Sequence, residues 1–304
     1  MTIQDWKAED LTYGFVGLGL MGGSFAKGIR ENILNKSQAQ GKIYACDIQP
    51  AVLHASREQG VISRGFTLEE TETMLSLCDF VFICLYPQAT LDFIETHKNA
   101  FKPGAIITDI SGVKSHIAQG LSKKLPNSVD FICGHPMAGS EKEGYGHASG
   151  EIFKDRNYIL MPRKENTPEH LEFFKNLVTD LGFTRIIETD PITHDHKIAF
   201  TSQLCHVLAA ALVDSAEDTH ITAFGGGSFE DLTRIAMINA PLWTELFSAN
   251  KQELLSHIEA FENSLEAIKK LIQHDNKTVM CRVLENVREK RIAMSRIELQ
   301  DNSV

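Results

Sequence analysis

Tyr13-Gly14-Phe15-Val16-Gly17-Leu18-Gly19-Leu20-Met21-Gly22-Gly23 decides the fold. An apolar run of strand character, Tyr13–Val16, passes into glycines spaced G-x-G-x-x-G (Gly17, Gly19, Gly22), then into a helical pattern, Ser24-Phe25-Ala26-Lys27-Gly28-Ile29. In a strand–loop–helix of this kind the first glycine permits a tight turn. The second lets a pyrophosphate approach the backbone, and the third lets helix and strand pack closely. The helix start adds unpaired N–H groups and partial positive charge, so Leu20 and Met21 join the phosphate-binding set. The spacing alone is weakly diagnostic, but a second element accompanies it. Asp47 closes the next strand about 25 residues beyond Gly22, where a carboxylate accepts hydrogen bonds from ribose hydroxyls. It would repel a 2′-phosphate, and Ile48-Gln49-Pro50 follows rather than an arginine, so the pattern predicts NAD over NADP. Tyr86-Pro87, after the apolar run Phe80–Leu85, is expected to border the nicotinamide; an ordinary turn explains the pair equally well.

On either side of this stretch, short apolar runs alternate with helical patterns through the first half of the chain, as in a mostly parallel sheet with crossover helices. Expected strands are Tyr13–Val16, Lys42–Cys46, Phe80–Leu85, Ala105–Thr108, Asp130–Cys133, Asn157–Met161 and Arg185–Glu188. Expected helices are Gly22–Asn32, Ala51–Gln59, Leu91–Ala100, Val113–Lys124 and Glu169–Leu181. Past Asp190-Pro191 no strand pattern remains. Ile198–Val213 is apolar nearly all round, the mark of a helix buried on every side, often against a partner subunit. Leu254, Ile258, Phe261, Leu265, Ile268 and Ile272 form an amphipathic stripe that reads as core packing, and Val279–Ile297 is a further helix. The expected fold is therefore α/β: a Rossmann-like N-terminal domain with a mostly parallel sheet (1–189), then an all-α domain for substrate binding and dimerisation (190–304).

Composition narrows the partners. The 304 residues are 43% hydrophobic and 23% charged, as in an ordinary globular protein, and the formal net charge of −10 argues against a nucleic-acid partner. An anionic substrate would need local cations to reverse that field. Six cysteines without metal-like spacing read as reduced thiols, and no leader or membrane-length apolar stretch is present, so a cytoplasmic protein is expected.

The chemistry centres on Cys133-Gly134-His135-Pro136-Met137-Ala138-Gly139-Ser140-Glu141. Gly134 is expected to turn the backbone after the strand, and Pro136 cannot continue a ladder, which leaves His135 at the carboxyl end where open α/β sheets keep their ligands. Taken alone, a histidine there is as readily a satisfied structural residue as a base.

With these flanks the chain resembles the prephenate/arogenate dehydrogenase family of tyrosine biosynthesis. The resemblance rests on GLGLMGGSFA (Gly17–Ala26), TDISGVK (Thr108–Lys114), GHPMAGSE (Gly134–Glu141), QLCHVLAAALVDS (Gln203–Ser215) and GGGSFEDLTRIA (Gly225–Ala236), in the family's order. It implies that hydride leaves C4 of a cyclohexadienol for NAD, with loss of CO2 and aromatisation, and that no metal is needed. His135 is then the base, a role suited to neutral imidazole. Arg234 binds a substrate carboxylate, its planar fork suiting that group better than lysine would. His206 and Gln203 contact substrate, as do Gly139 and Ser140, while Glu141 and Asp231 orient Arg234. Two departures stand out. Gly112 occupies the place of a family serine, so Ser111 would supply that hydroxyl from one residue earlier, and Gln203 stands where a second histidine is common. The resemblance further implies a homodimer through the helical domain. The early nucleotide fold and the short tail Leu299–Val304 predict neither a fused chorismate mutase nor a regulatory domain. An arogenate dehydrogenase is the nearest alternative. A β-hydroxyacid dehydrogenase would need a catalytic lysine, for which Lys197 lacks the surrounding pattern. A nucleotide sensor without turnover would need neither His135 nor Arg234.

Overall fold

In the central strands, consecutive side chains enter two different cores, one on each face of a single sheet. The computed structural model describes residues 6–35, 38–121 and 125–297. The strands are β1 (Thr12–Val16), β2 (Lys42–Cys46), β3 (Arg64–Phe66), β4 (Phe80–Ile83), β5 (Ile106–Asp109), β6 (Asp130–Pro136), β7 (Asn157–Met161) and β8 (Arg185–Glu188). Tyr13, Phe15, Phe80, Phe82, Ile106 and Ile132 join one core, and Val16, Val81, Ile83, Ile107, Phe131 and Cys133 the other. Burial on both faces explains why these strands read as unbroken apolar runs instead of alternating ones. The sheet order is β3-β2-β1-β4-β5-β6-β7-β8. Strands β1 to β6 are parallel, β7 is antiparallel to β6, and β8 is parallel to β7.

The crossover helices are α1 (Leu20–Ile29), α2 (Pro50–Glu58), α3 (Thr71–Leu77), α4 (Pro87–His97) and α5 (Ser115–Leu121), and α6 (Pro168–Asp180) links β7 to β8. Proline at the first turn of α2, α4 and α6 sets each start without costing an intrahelical bond. Between β2 and β1 on one side and β4 on the other the strand order reverses, so the carboxyl ends of β1 and β4 flank the crevice where such sheets take ligands.

Three local expectations change. Strand β3 and helix α3 are additions, β3 being only three residues long and too short to show a period. The expected helix Val113–Lys124 is observed as Ser115–Leu121, and 122–124, like the tail 299–304, lie outside the described residues. Strand β6 does not end at Cys133. Its partner β5 stops opposite Cys133, but β7 continues along the other flank, pairing Gly134, His135 and Pro136 with Leu160, Ile159 and Tyr158. Pro136 is tolerated because only one neighbour remains there. Gly134 does not turn the chain; a Cβ on it would fall 2.0 Å from the Tyr158 hydroxyl, so its smallness serves packing.

After β8 the described residues form helices only: α7 (Pro191–Ile198), α8 (Leu204–Asp214), α9 (Gly227–Thr233), α10 (Ala240–Ala249), α11 (Lys251–Gln273) and α12 (Lys277–Ile297), with a π-helical turn at Ala199–Gln203. By contacts the chain divides into Met1–Leu254 and Leu255–Val304. Within the first unit α8 is not buried all round, for Leu212 and Val213 are exposed. The expected core stripe is buried only at its start: Leu254 is buried and Ile258 and Phe261 are half-buried, whereas Leu265, Ile268 and Ile272 are exposed, as are Leu284 and Val287 on α12. No helix among the described residues is long and apolar enough to cross a membrane.

Candidate active site

The glycine loop after β1 has the shape that its residues require. Gly17 adopts φ 88°, open to glycine at little cost, and donates its N–H to the Cys46 carbonyl at 2.9 Å. A Cβ on Gly22 would lie 2.1 Å from the Gly17 carbonyl oxygen, so the α1–β1 approach depends on its absence. A Cβ on Gly19 would meet nothing within 4 Å. That space opens over the start of α1, whose first-turn N–H groups have no side-chain cap. The cradle therefore fits a pyrophosphate. Asp47 accepts from the N–H of Leu18 at 2.7 Å and of Gln49 at 2.8 Å, and so holds the loop from the end of β2.

The carboxyl ends of β5 and β6 carry the ionisable groups. Asp109 and Lys114 form a fully buried ion pair at 2.7 Å, and the same Asp109 oxygen accepts the Ser111 N–H at 2.9 Å. The Ser111 hydroxyl is buried and unpartnered. His135 is partly buried, and its Nδ1 lies 2.8 Å from Nε2 of His194 on α7. Nδ1 of His194 in turn lies 2.7 Å from Asp195 Oδ1. That carboxylate also accepts the N–H groups of Lys114 and Ser115, both at 2.8 Å, and so caps α5 from a neighbouring helix. Burial pushes His135 well below the usual imidazole value, and His194 and Lys114 push the same way. Burial also lowers His194, against the opposing pull of Asp195. Asp195 resists the upward push of burial through its bonds from His194 and the two backbone N–H groups, and stays below the usual carboxylate value.

A cleft of about 1080 Å³ brings the glycine loop, Tyr86, His135, His206 and Arg234 together. Arg234, at the end of α9, is exposed and pairs with Glu141 at 3.2 Å. Its own backbone N–H and then Arg234 hold the Glu141 carboxyl below its usual value. Asp231 is exposed and pairs with no cation among the described residues. His206 stacks on Trp243 with centroids 3.6 Å apart, and its Nδ1 sits 3.0 Å from the Ser202 carbonyl oxygen. That bond assigns the proton to Nδ1 and leaves Nε2 as an acceptor. The Gln203 amide is spent within the protein: its nitrogen donates to the Leu246 carbonyl at 3.1 Å and its oxygen accepts from Asn250 at 2.9 Å. The Tyr86 hydroxyl donates to Asn239 at 3.2 Å, while Pro87 begins α4. Gly139 and Ser140 are exposed at the cleft rim, Ser140 accepting from the Lys142 N–H at 3.1 Å. A Cβ on Gly112 would stand 3.8 Å from His135 Nε2, where the family's serine would begin.

Sequence reading missed His194, Asp195, Trp243 and Asn250. A His-Asp pair directly after the helix start Asp190-Pro191 was the available signal for the first two. Asp190 caps that helix through the N–H groups of Ile192 and Thr193, which sets His194 and Asp195 facing β6 and α5.

Two family models match. The nucleotide-binding domain of prephenate dehydrogenase covers residues 31–187, and its dimerization domain covers residues 190–286. The chain is 26% identical to the prephenate dehydrogenase of Bacillus subtilis over 90% of its own length and 74% of that protein. It is 25% identical to the cyclohexadienyl dehydrogenase of Zymomonas mobilis, over 92% and 94% of the two chains. Among solved structures it superposes on Aquifex aeolicus prephenate dehydrogenase, in complex with hydroxyphenyl propionate and NAD+, with a TM-score of 0.80 and 29% identity over 93% and 98% of the two chains. It matches Synechocystis arogenate dehydrogenase with a TM-score of 0.75 and 25% identity over 93% and 100%.

Proposed function

The chain belongs to the prephenate dehydrogenase family, and on that premise we propose that it oxidises and decarboxylates prephenate with NAD to give 4-hydroxyphenylpyruvate. The observation that carries the reading is convergence: one cleft holds a pyrophosphate cradle, an imidazole with a free nitrogen and an exposed guanidinium. When bound, NAD would supply the acceptor for the hydride leaving C4 of the ring. Gly17, Gly19, Leu20, Met21 and Gly22 would hold its phosphates, Asp47 its ribose, and Tyr86-Pro87 the nicotinamide end. The absence of an arginine beside Asp47 favours NAD over NADP.

His135 Nε2 accepts the C4 hydroxyl proton as the carbon–oxygen double bond forms. Loss of CO2 from C1 then returns an electron pair to the ring, and the phenolate oxygen takes that proton back, so the base is regenerated. Arg234 binds a carboxylate and, held by Glu141, keeps its fork toward the cleft rim. His206 Nε2 and the Ser111 hydroxyl offer further hydrogen bonds, and Gly139 and Ser140 border the substrate. Gln203, with its amide committed to Leu246 and Asn250, supports the wall beside His206.

Residues 1–189 bind the dinucleotide, and 190–304 bind substrate and pair two copies of the chain. Arg234 and His206 both come from the helical segment, and its exposed apolar residues suit a partner copy. Initial rates with prephenate or arogenate, each with NAD or NADP, test the assignment. The prephenate–NAD pair should have the highest kcat/KM. A higher value for arogenate would make the chain an arogenate dehydrogenase, and silence in all four would remove the reading.

A further inference from the structure

We propose that Asp195 and His194 act as positioning residues that fix the tautomer of His135, so that its Nε2 lone pair, and not an N–H, faces the cleft. The inference follows from what each atom can do. A carboxylate only accepts, so the 2.7 Å contact places a proton on His194 Nδ1. In neutral His194 the other nitrogen, Nε2, is then bare. It lies 2.8 Å from His135 Nδ1, which must therefore carry the proton of that bond. Neutral His135 is left with Nε2 unprotonated beside Gly112, where no described protein group bonds it.

Without this relay either His135 nitrogen could hold the proton, and a base with Nε2–H would meet the substrate hydroxyl with the wrong group. The relay also serves the charged state. Once Nε2 gains the substrate proton, Nδ1–H of the imidazolium still donates to His194, whose polarised ring leads to the Asp195 carboxylate. The logic is that of a carboxylate orienting a catalytic histidine, with a second imidazole interposed. Asp195 is itself locked by the N–H groups of Lys114 and Ser115, and the Asn250 amide donates to its carbonyl at 2.8 Å, so the relay starts from a fixed point.

The consequence for catalysis rests on the dehydrogenase reading; the tautomer does not, and the two are measured separately. Imidazole ¹⁵N shifts of the histidine-labelled, ligand-free protein near neutral pH should show His135 protonated at Nδ1 and bare at Nε2, and His194 likewise. An Nε2–H on His135, or a doubly protonated His194, would overturn the proposal. In turnover, His194→Phe keeps an aromatic ring but removes the acceptor. It should lower kcat by about 10²–10³-fold with both KM values within about threefold. His194→Gln, whose Oε1 stands near the lost Nε2, should recover kcat to within about tenfold of the parent. Equal kcat for the parent and His194→Phe would overturn the role in catalysis. If His194→Phe does not fold, the ¹⁵N spectrum of the parent still decides the tautomer.

Discussion

In the proposed site, Arg234 is the group that would meet the charge problem of a chain with a formal net charge of −10 binding a dianion. It is exposed and among the described residues pairs with one carboxylate, Glu141, so most of its hydrogen-bonding capacity remains for a ligand. Arg234→Ala should therefore raise the KM for substrate by about 10- to 100-fold, the range of one charge-assisted hydrogen bond, and leave kcat nearly unchanged. An unchanged KM would remove Arg234 from the site. His135 yields a prediction of opposite sign to intuition. Burial disfavours its cation, so its folded-state pKa lies below 6.5 and the neutral base persists as pH falls past that value. The acid limb of kcat/KM, which reports the free enzyme, should lie well below about pH 6.5; a limb at or above it would place the titrating base elsewhere. The identity of His135, Arg234 and His206 as candidates was legible from flanking motifs. Their partners were not. His194 and Asp195 lie about 60 residues from His135 in the chain, and only the packing of α7 against β6 and α5 brings them together.

The elements were legible wherever an unbroken apolar run filled a full strand or an apolar period extended over several helical turns. The start of the strand and of the helix in the strand–glycine–helix unit was read to within two residues, and the helix end to within three, because three glycines and an apolar strand allow few alternatives. Strand β3 was missed because its three residues, Arg64-Gly65-Phe66, form no apolar run. The end of β6 was misplaced because a local proline rule cannot know that β7, twenty residues on, supplies the remaining flank. The same unit gives a paired test. Gly22→Ala puts a methyl 2.1 Å from a backbone carbonyl oxygen that cannot yield without moving α1 off β1, and should lower the melting temperature and abolish NAD binding. Gly19→Ala meets no atom within 4 Å, and should melt within a few degrees of the parent yet bind NAD at least about tenfold more weakly, because its methyl enters the pyrophosphate space. Calorimetric titration beside thermal melts separates the two; full NAD affinity in Gly19→Ala would remove the cradle.

At the scale of the whole molecule, the last two helices, α11 and α12, carry exposed apolar side chains. Ile272 is 62% exposed, and Leu265 and Val287 are 53% and 55% exposed, and these are the side chains that the proposed partner copy would cover. The stripe was legible in the sequence, but a period does not say whether the covering surface comes from the same chain. Ile272→Glu should shift the light-scattering mass from dimer toward monomer and lower the melting temperature; a parent that is monomeric at micromolar concentration would contradict the pairing. The sheet, its glycine loop and the cleft at its carboxyl edge make one further demand, that hydride acceptance and proton acceptance occur together at that edge. Prephenate-dependent reduction of NAD by the purified protein, measured beside His135→Asn, tests this most directly. The parent should produce reduced nicotinamide and CO2 in equal amounts, and His135→Asn should bind NAD normally but turn over about 10²–10⁴-fold more slowly. No NAD reduction by the parent, or undiminished turnover in His135→Asn, would contradict it.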